Sequence, residues 1–441
     1  MDYVDGYFFG HNLATFLRFI NPNTSSMNKR SFLKYLAAFG IGGSLFPTKA
    51  KAFSFDQLDW NAADIWEQIR AGYRIKMDYL NFENGYYCFL PEELLEKYIA
   101  HIREVNYQAS YYMRGVQVAN KAKSAAALAE LVGADPEEVV LTRNTTESLD
   151  LIISGFPWKS GDEAVFSNQD YGSMQSMFEL ASKRWGIKTV KIDIPMHPQN
   201  DEEVVDVYRK AITPQTKLIM VPHIVNITGH ILPVRKIADM AHAKGVDVML
   251  DGAHAVGHFT FNMHELDCDY YGSSLHKWLS VPLGAGMLFV KKDKISKIQP
   301  LLAPFDLNLK TIGYLNHIGT HPAATDLTVL DSIEFQNRIG GKRKEDRLRF
   351  IQKYWSDQVR DYPGIRVNTP VEPERCCGIG NVWVEKYTPA EMGKILMEKY
   401  QIFTAPIDGA GVKGVRVSPN IYTSTEDCDQ LVNALKEMAD S

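Results

Sequence analysis

Residues 217–250, KLIMVPHIVNITGHILPVRKIADMAHAKGVDVML, decide the fold of this chain. Two apolar runs, at 217–221 and 246–250, have the length and composition of buried strands. Between them, residues 233–243 repeat apolar side chains at helical spacing. Pro233 is placed for the first helical turn and Gly245 for the cap at the other end. This order predicts a strand–helix–strand unit whose two strands run parallel in one sheet.

The same alternation extends along the chain in both directions. Residues 139–141, 163–167 and 188–192 are predicted as strands, and helical periodicity at 125–132, 144–156 and 174–185 indicates helices between them. After residue 324 the pattern predicts two long helices, strands near 379–384 and 414–417, and a last helix. We therefore predict an α/β fold: a large domain with a mostly parallel sheet flanked by helices, plus a smaller C-terminal α/β domain. Ligands are expected at the carboxyl ends of the parallel strands.

Four parts are predicted from these patterns. Residues 1–52 are an N-terminal extension with an export-signal-like segment, and residues 53–90 are an N-terminal arm. Residues 91–310 form the large domain, which carries the ligand site. Residues 311–441 form the small domain.

The N-terminal segment has the order of a secretion signal. Lys29 and Arg30 precede an apolar run at 35–46, which is followed by small residues at 50–52. The run is too short to span a membrane. It resembles a twin-arginine signal with Lys29 in place of the first arginine. We expect export to the periplasm, with a cytoplasmic protein as the alternative and Met27 as a possible true start.

Composition narrows the class of function. The net charge is -5, which disfavours nucleic acid as a partner. The five cysteines show no CxxC spacing, so neither a disulfide scaffold nor a zinc site is expected. His254 and His258 lie four residues apart without a supporting carboxylate pattern, and we therefore predict no metal.

Two residues stand out for chemistry. Asp251 directly follows the strand at 246–250, where an open parallel sheet places ligand-binding groups. Lys277 follows residues 270–276, whose small and polar side chains are typical of a tight loop. Spacing alone does not distinguish a catalytic lysine from a solvated one.

A family resemblance gives these two residues a context. Residues 221–226 (VPHIVN), 250–257 (LDGAHAVG) and 274–277 (SLHK) together resemble the class V aminotransferase family. Its members are fold-type-I enzymes that use pyridoxal 5′-phosphate (PLP), and they include cysteine desulfurases and isopenicillin N epimerase-like proteins. The resemblance extends from about residue 80 to residue 435.

The resemblance implies roles around the cofactor ring. Lys277 would form a Schiff base with the cofactor aldehyde and later move protons on the alpha carbon of the substrate. Asp251 would pair with the pyridine nitrogen and keep the ring electron-poor. His254 would lie near the ring hydroxyl, and Asn226 beside the same oxygen or the substrate.

The resemblance also implies a phosphate site. Thr145 and Thr146 follow Asn144 at a predicted helix start, where free N–H groups favour an anion. Ser274 and His276 would add donors. Thr320 resembles a residue that reaches the phosphate from a neighbouring subunit, which predicts a homodimer with shared sites.

The remaining implied positions face the ring and the substrate. Tyr171 would stack on the ring, with Gln169 as the competing assignment. Arg416 would bind the substrate carboxylate through its guanidinium fork. Asn84 and Arg114 would line the mouth of the site.

The sequence narrows the reaction only partly. A desulfurase of this family needs a cysteine on the loop before the carboxylate arginine, and residues 407–413 contain none. The expected activity is epimerase-like, racemase-like or C–S lyase-like chemistry on an amino acid. An aminotransferase of the same family and a noncatalytic binding protein with this fold are the alternatives.

Overall fold

The computed structural model describes Phe55, residues 58–308 and residues 310–441. The predicted extension and export signal, residues 1–52, lie outside the described residues. The N-terminal arm is described in part.

Strands alternate with helices along most of the described chain, as the sequence pattern predicts. The strands are β1 (Leu80–Asn81), β2 (Val139–Thr142), β3 (Glu163–Ser167), β4 (Lys188–Ile192), β5 (Thr216–Pro222), β6 (Asp247–Asp251), β7 (Tyr270–Ser274), β8 (Gly286–Val290), β9 (Ile365–Val367), β10 (Gly380–Val384), β11 (Ile402–Phe403), β12 (Ala405–Gly409) and β13 (Val412–Val417).

The α-helices between these strands have the following bounds. They are α1 (Ile65–Ala71), α2 (Glu92–Gln108), α3 (Gln117–Val132), α4 (Thr145–Gly155), α5 (Gly172–Trp185), α6 (Asp201–Ala211), α7 (Val234–His242), α8 (Met263–Leu266), α9 (Ala323–Ile339), α10 (Gly341–Arg360), α11 (Pro389–Tyr400) and α12 (Thr425–Asp440). A π-helical turn, Tyr112–Val116, precedes α3.

The central sheet has the strand order β2-β8-β7-β6-β5-β3-β4. Strands β7, β6, β5, β3 and β4 are parallel to one another, and β8 lies antiparallel between β2 and β7. Because β8 is antiparallel to both neighbours, β2 runs in the same direction as β7. The carboxyl ends of every strand except β8 therefore lie at one edge of this sheet.

Both faces of the central sheet are buried except at the edge strand β4, where only Ile192 is buried. Val221 and Leu250 belong to one apolar cluster, whereas Met220 and Met249 belong to the cluster on the opposite face. Side chains alternate between the faces of a strand, so a strand covered on both sides needs an unbroken apolar run. This explains why residues 218–221 and 248–250 are apolar. The burial on both faces agrees with the predicted α/β fold and its mostly parallel sheet, which is confirmed.

A second, antiparallel sheet has the order β12-β13-β10-β9. Its core packs Trp355 of α10 and Leu431 of α12 against Val382 and Val415 of the sheet. The arm joins this part of the chain because β1 pairs in parallel with β11, Leu80 opposite Ile402. The predicted domain boundaries, including the one at residue 310, remain predictions.

One expectation about local structure is wrong. Residues 270–274 form strand β7 rather than a tight loop, and all five are buried. Tyr270 and Tyr271 pack into opposite clusters, so burial on both faces outweighs the loop preference of the small residues that follow. Gly272 has a packing role: a β-carbon there would lie 2.8 Å from the Leu149 side chain on α4.

No helix in the described ranges has both the length and the apolar character needed to cross a membrane.

Trp355 gives a direct test of the smaller core, since its side chain is 0% exposed. Trp355→Ala should lower the free energy of unfolding of this part of the chain by about 3–5 kcal/mol, because the cavity it leaves cannot fully close. Urea denaturation followed by circular dichroism measures the change. Phe350→Ala on the same helix is the control, since Phe350 is 49% exposed and its loss should cost less than about 1 kcal/mol. Equal losses in the two variants would contradict the packing described.

Candidate active site

The carboxyl ends of five parallel strands open into one cavity of about 350 Å³. Strands β2, β3, β5, β6 and β7 are each followed by residues that line it. The predicted site residues in its lining are Thr145, Thr146, Tyr171, Asn226, Asp251, His254, Ser274, His276, Lys277 and Arg416. The structure thus brings together residues that are separated by more than 250 positions in the sequence.

Lys277 projects into this cavity from the turn after β7. Its Nζ lies 3.0 Å from Nε2 of His254. Burial lowers the pKa of Lys277 to about 8, while the Asp251 charge raises it and the Arg416 charge lowers it further. An amine with this pKa is present in both protonation states near neutral pH.

Asp251 ends strand β6 beside the lysine. Its side-chain Oδ1 accepts a hydrogen bond from the Ala253 N–H at 2.9 Å, and its backbone oxygen accepts one from the His223 N–H at 2.9 Å. Burial raises the pKa of Asp251, and the Ala253 N–H and the Lys277 charge act in the opposite direction. The carboxyl group is therefore held in a fixed position on the cavity wall.

Trp278 determines how His254 faces the lysine. Burial and the nearby Lys277 charge hold the pKa of His254 well below its usual range, so its ring is neutral. The indole Nε1–H of Trp278 donates to Nδ1 of His254 at 3.3 Å. Because an indole N–H can only donate, the remaining ring proton is assigned to Nε2. That N–H points at Nζ of Lys277 and matches an unprotonated amine.

A second layer holds this pair in place. The His258 ring stacks on Trp278 with a centroid distance of 3.7 Å. Nδ1 of His258 donates to the His254 backbone oxygen at 2.7 Å, and Nε2 accepts from the Gly378 N–H at 2.7 Å. Burial lowers the pKa of His258 to about 3. Because both of its ring nitrogens have hydrogen-bond partners, the residue is a structural support.

The start of α4 forms a cluster of hydrogen-bond donors on the cavity wall. Asn144 caps the helix and accepts from the Glu147 N–H at 2.9 Å. The Thr145 N–H donates to Ser274 Oγ at 3.0 Å, and the Thr145 and Ser274 hydroxyls lie 2.7 Å apart. Nδ1 of His276 is buried and has no partner within the part of the chain that the structure describes. Together with the helix dipole, these donors fit an anion.

Tyr171 lies in the cavity lining, and its side chain is 48% exposed. The competing residue, Gln169, is buried and donates to the Ile194 backbone oxygen at 3.0 Å. The geometry favours Tyr171 as the aromatic face available to a ring in the cavity. The stacking role itself stays a prediction.

Arg416 lies on β13 and reaches the cavity from the smaller sheet. Its Nε donates to Glu83 Oε2 at 3.1 Å, and its NH2 donates to Glu83 Oε1. NH1 donates to the Asn226 backbone oxygen at 3.1 Å. Glu83 is not among the residues predicted from the sequence. Nothing in the local pattern indicates that a residue of the arm contacts a strand more than 300 positions later.

The expectation that Asn84 lines the mouth is not met. The Asn84 side chain is 0% exposed. It donates to the Ser418 backbone oxygen at 2.9 Å and accepts from the Tyr422 hydroxyl at 2.6 Å. These bonds tie the arm to the region after β13, so Asn84 has a structural role, while its neighbours Gly85 and Tyr86 line the cavity.

Two other predicted positions lie outside the cavity lining. Arg114 is exposed in the π-helical turn. Thr320 is also exposed, and its assignment to the site of a neighbouring subunit remains a prediction.

The positions of the cysteines and of the segment before Arg416 are relevant to whether the protein has a thiol nucleophile like that of a desulfurase. All five cysteines are buried. Residues 407–413, where a desulfurase would carry its nucleophile, lie in the hairpin that joins β12 to β13. The pair Cys376 and Cys377 is buried and precedes β10.

The low pKa of Lys277 can be measured directly. In cofactor-free protein, labelling of Lys277 by an amine-reactive reagent should reach half its maximal rate near pH 8, because burial lowers its pKa to about 8 and only the free base reacts. Asp251→Asn should lower this midpoint, since it removes a carboxylate that raises the pKa. Peptide mass spectrometry across a pH series gives the profile, with exposed lysines as internal controls near pH 10. A Lys277 midpoint that coincides with theirs would refute the electrostatic description.

Comparison with known proteins agrees with this arrangement. The aminotransferase class-V family model matches residues 90–431. Isopenicillin N epimerase of Streptomyces clavuligerus is 26% identical over 387 residues, covering 84% of this chain and 97% of that protein. A probable cysteine desulfurase of Halalkalibacterium halodurans is 24% identical over 330 residues, covering 68% of this chain and 77% of that protein.

Solved structures share the fold. The apo cysteine desulfurase of Thermococcus onnurineus NA1 has a TM-score of 0.75 at 22% identity, covering 85% of this chain and 98% of that one. A mutant of C-DES with glycine covalently linked to its PLP cofactor has a TM-score of 0.77 at 20% identity, covering 83% and 99%. Since the family model spans most of the chain, this protein belongs to the aminotransferase class-V family, whose cofactor is PLP.

Proposed function

We propose that this chain is a PLP-dependent enzyme that acts on an amino acid, with epimerase-like, racemase-like or C–S lyase-like chemistry. The observation that carries the proposal is the position of Lys277. Its amine, with a pKa of about 8, lies in one cavity with a buried carboxylate, a cluster of anion-binding donors and an arginine.

The residues of the cavity fit the cofactor. The Thr145–Ser274 cluster and the unpartnered Nδ1 of His276 would hold the phosphate. Asp251 would face the ring nitrogen, and Tyr171 would cover one face of the ring. When bound, PLP supplies an electron-withdrawing ring that stabilises negative charge at the alpha carbon of an amino acid.

Lys277 would attach the cofactor and then move the alpha proton at Nζ. A group that takes up and returns a proton works best when its pKa lies near the working pH, and the pKa of about 8 at Lys277 meets this condition. Nε2–H of His254, directed by Trp278, would donate to an oxygen of the ring once Lys277 moves. Asp251 would hold the proton at the ring nitrogen.

Arg416 would orient the substrate by binding its carboxylate. A guanidinium group has five N–H donors in a rigid plane, which favours two-point contact with a carboxylate. Its place on the cavity wall would keep the alpha carbon within reach of Lys277.

The cysteines disfavour desulfurase activity. Desulfurases occur among the relatives, but every cysteine of this chain is buried, and burial raises the pKa of Cys377 and Cys376. A thiol nucleophile has to be accessible and ionised. Reaction at the alpha carbon without a protein thiol is therefore the preferred class.

Two alternatives stay open: an aminotransferase of the same family and a noncatalytic binding protein. Incubation with a panel of amino acids followed by product analysis separates them. Inverted stereochemistry indicates an epimerase, and pyruvate released together with ammonia and a sulfur product indicates a lyase. A new amino acid formed from an added 2-oxo acid, which accepts the amino group, indicates an aminotransferase. A protein that binds cofactor but changes no substrate would be the binding protein.

We also propose how this enzyme assembles and where it is located. A homodimer would bring Thr320 of one subunit to the phosphate site of the other. Export through the signal-like segment at 27–52 would place the enzyme in the periplasm, and a cytoplasmic enzyme is the alternative.

Lys277 should carry the cofactor covalently. After reaction with PLP and reduction by borohydride, the modified peptide should contain Lys277. Lys277→Ala should abolish both the label and turnover while PLP still binds noncovalently.

Lys344 is the matched control for this experiment. It is also buried, with a pKa lowered to about 8 by burial, but it donates to the Trp278 backbone oxygen and to Gln336 and does not line the cavity. It should stay unlabelled. Label on Lys344, or full turnover in Lys277→Ala, would reject the proposed role.

Ser274 should contribute to phosphate binding. Ser274→Ala removes a hydroxyl from the donor cluster and should weaken PLP binding about tenfold, the usual effect of a hydrogen bond to a charged group. Ser273→Ala is the control, because Ser273 lies next in sequence but donates to the Gly252 backbone oxygen at 2.8 Å. Fluorescence titration with PLP measures both dissociation constants. An equal effect in the two variants would point to a general loss of structure instead.

A further inference from the structure

The arginine proposed to bind the substrate carboxylate already has a carboxylate partner within the chain. Glu83 contacts Arg416 through two hydrogen bonds, and both side chains are almost fully buried, 9% exposed for Arg416 and 7% for Glu83. Buried ion pairs of this kind carry a desolvation cost that only good geometry offsets. The pair therefore needs a functional explanation.

Glu83 lies behind the arginine, away from the cavity. Arg416 belongs to the cavity lining, whereas Glu83 does not. Two hydrogen bonds donated by backbone N–H groups fix this arrangement. The Ser418 N–H donates to the Phe82 backbone oxygen at 2.7 Å, and the Glu83 N–H donates to the side-chain Oδ1 of Asn81 at 3.0 Å. A ligand in the cavity would thus meet the arginine first and would not have to displace Glu83.

The hydrogen bonds leave a defined part of the guanidinium for a ligand. Of its five N–H donors, Nε and one on NH2 go to Glu83, and one on NH1 goes to Asn226. One N–H on each terminal nitrogen remains. That is enough for a single carboxylate.

Glu83 also balances charge at this end of the cavity. The Glu83 charge raises the pKa of Lys277 while the Arg416 charge lowers it, so both act on the same site with opposite sign. With the two charges paired, an incoming carboxylate meets a site that is nearly neutral. Its binding is then weaker than to a lone buried arginine.

We propose that Glu83 is a positioning residue that fixes the plane of Arg416, offers one edge of it to the cavity and moderates its attraction for carboxylates. This inference depends on the proposed role of Arg416 in binding the substrate carboxylate. It predicts that the enzyme gives up carboxylate affinity that the arginine alone would provide. Carboxylates without an amino group are then poor competitors, because the remaining affinity has to come from the amino group and the cofactor.

The test uses propionate, a carboxylate without an amino group, and PLP-loaded protein at constant ionic strength. Glu83→Gln keeps the shape and one of the two hydrogen-bond acceptors but removes the charge. It should bind propionate about tenfold more tightly than the wild type, as expected for one charge lost from a low-dielectric site. Isothermal titration calorimetry measures the affinity. Affinity for propionamide, the uncharged analogue, should stay the same.

The sign of the change separates this role from a structural one. If Glu83 only held Arg416 in place and did not moderate its attraction for carboxylates, Glu83→Gln would lower the propionate affinity or leave it unchanged; either result overturns the inference. Glu83→Asp should lie between the wild type and Glu83→Gln. It provides the same test of sign should the glutamine variant fail to fold. Asp427→Asn, which removes the carboxylate from the Arg70–Asp427 pair outside the cavity, is the control and should leave the affinity unchanged.

One further variant distinguishes a failure of this inference from a failure of the proposed function. Arg416→Gln should abolish saturable binding of propionate. If the wild type and Glu83→Gln both fail to bind propionate, the carboxylate site and this inference are wrong, whereas covalent attachment of PLP at Lys277 would still support the proposed enzyme class. Loss of that attachment in the wild type would instead refute the proposed function.

Discussion

The site depends on one geometric constraint: strands β2, β3, β5, β6 and β7 all end at the same edge of the central sheet. Each of these ends is followed by side chains that line the cavity. A parallel sheet that is covered by helices on both faces has a single open edge for ligands. The α4 dipole, Asp251 and Lys277 converge there because the strands before them are parallel, or, for β2, aligned through β8.

Burial at this edge sets the protonation states. It makes the amine of Lys277 a weak enough base to lose its proton near neutral pH, and it keeps His254 neutral. Trp278 then selects the ring nitrogen that carries the proton. The three residues act together. The Trp278 indole orients the His254 ring, and that ring in turn contacts Nζ of Lys277. In a similar way, Glu83 holds the guanidinium group of Arg416 through two hydrogen bonds.

Much of the architecture follows from the order of residues. The apolar residues 218–221 of β5 and 248–250 of β6 and the periodicity of α7 are local signals, and they predict these elements nearly at their observed bounds. Strand β7 was misjudged, because its small residues resemble a loop until the burial of Tyr270 and Tyr271 on opposite faces is known. Asn84 was misjudged for a similar reason: an Asn-Gly pair indicates a turn, but its sequence does not tell whether the side chain faces a ligand or the protein.

The sequence by itself determined the alternation of strands and helices, and through the motifs around Asp251, His254 and Lys277 it determined the family and the cofactor. The alternation depends on near neighbours in the chain, whose spacing gives the period of each element, whereas the family and the cofactor follow from the resemblance of these motifs to a known family. Only the tertiary structure decided that Glu83 pairs with Arg416, that Trp278 orients His254 and that Asn84 is turned away from the cavity. Two of these contacts join the arm to the end of the smaller sheet, and the third depends on how a turn folds back on β6. Contacts of this kind follow from packing, which no local pattern encodes.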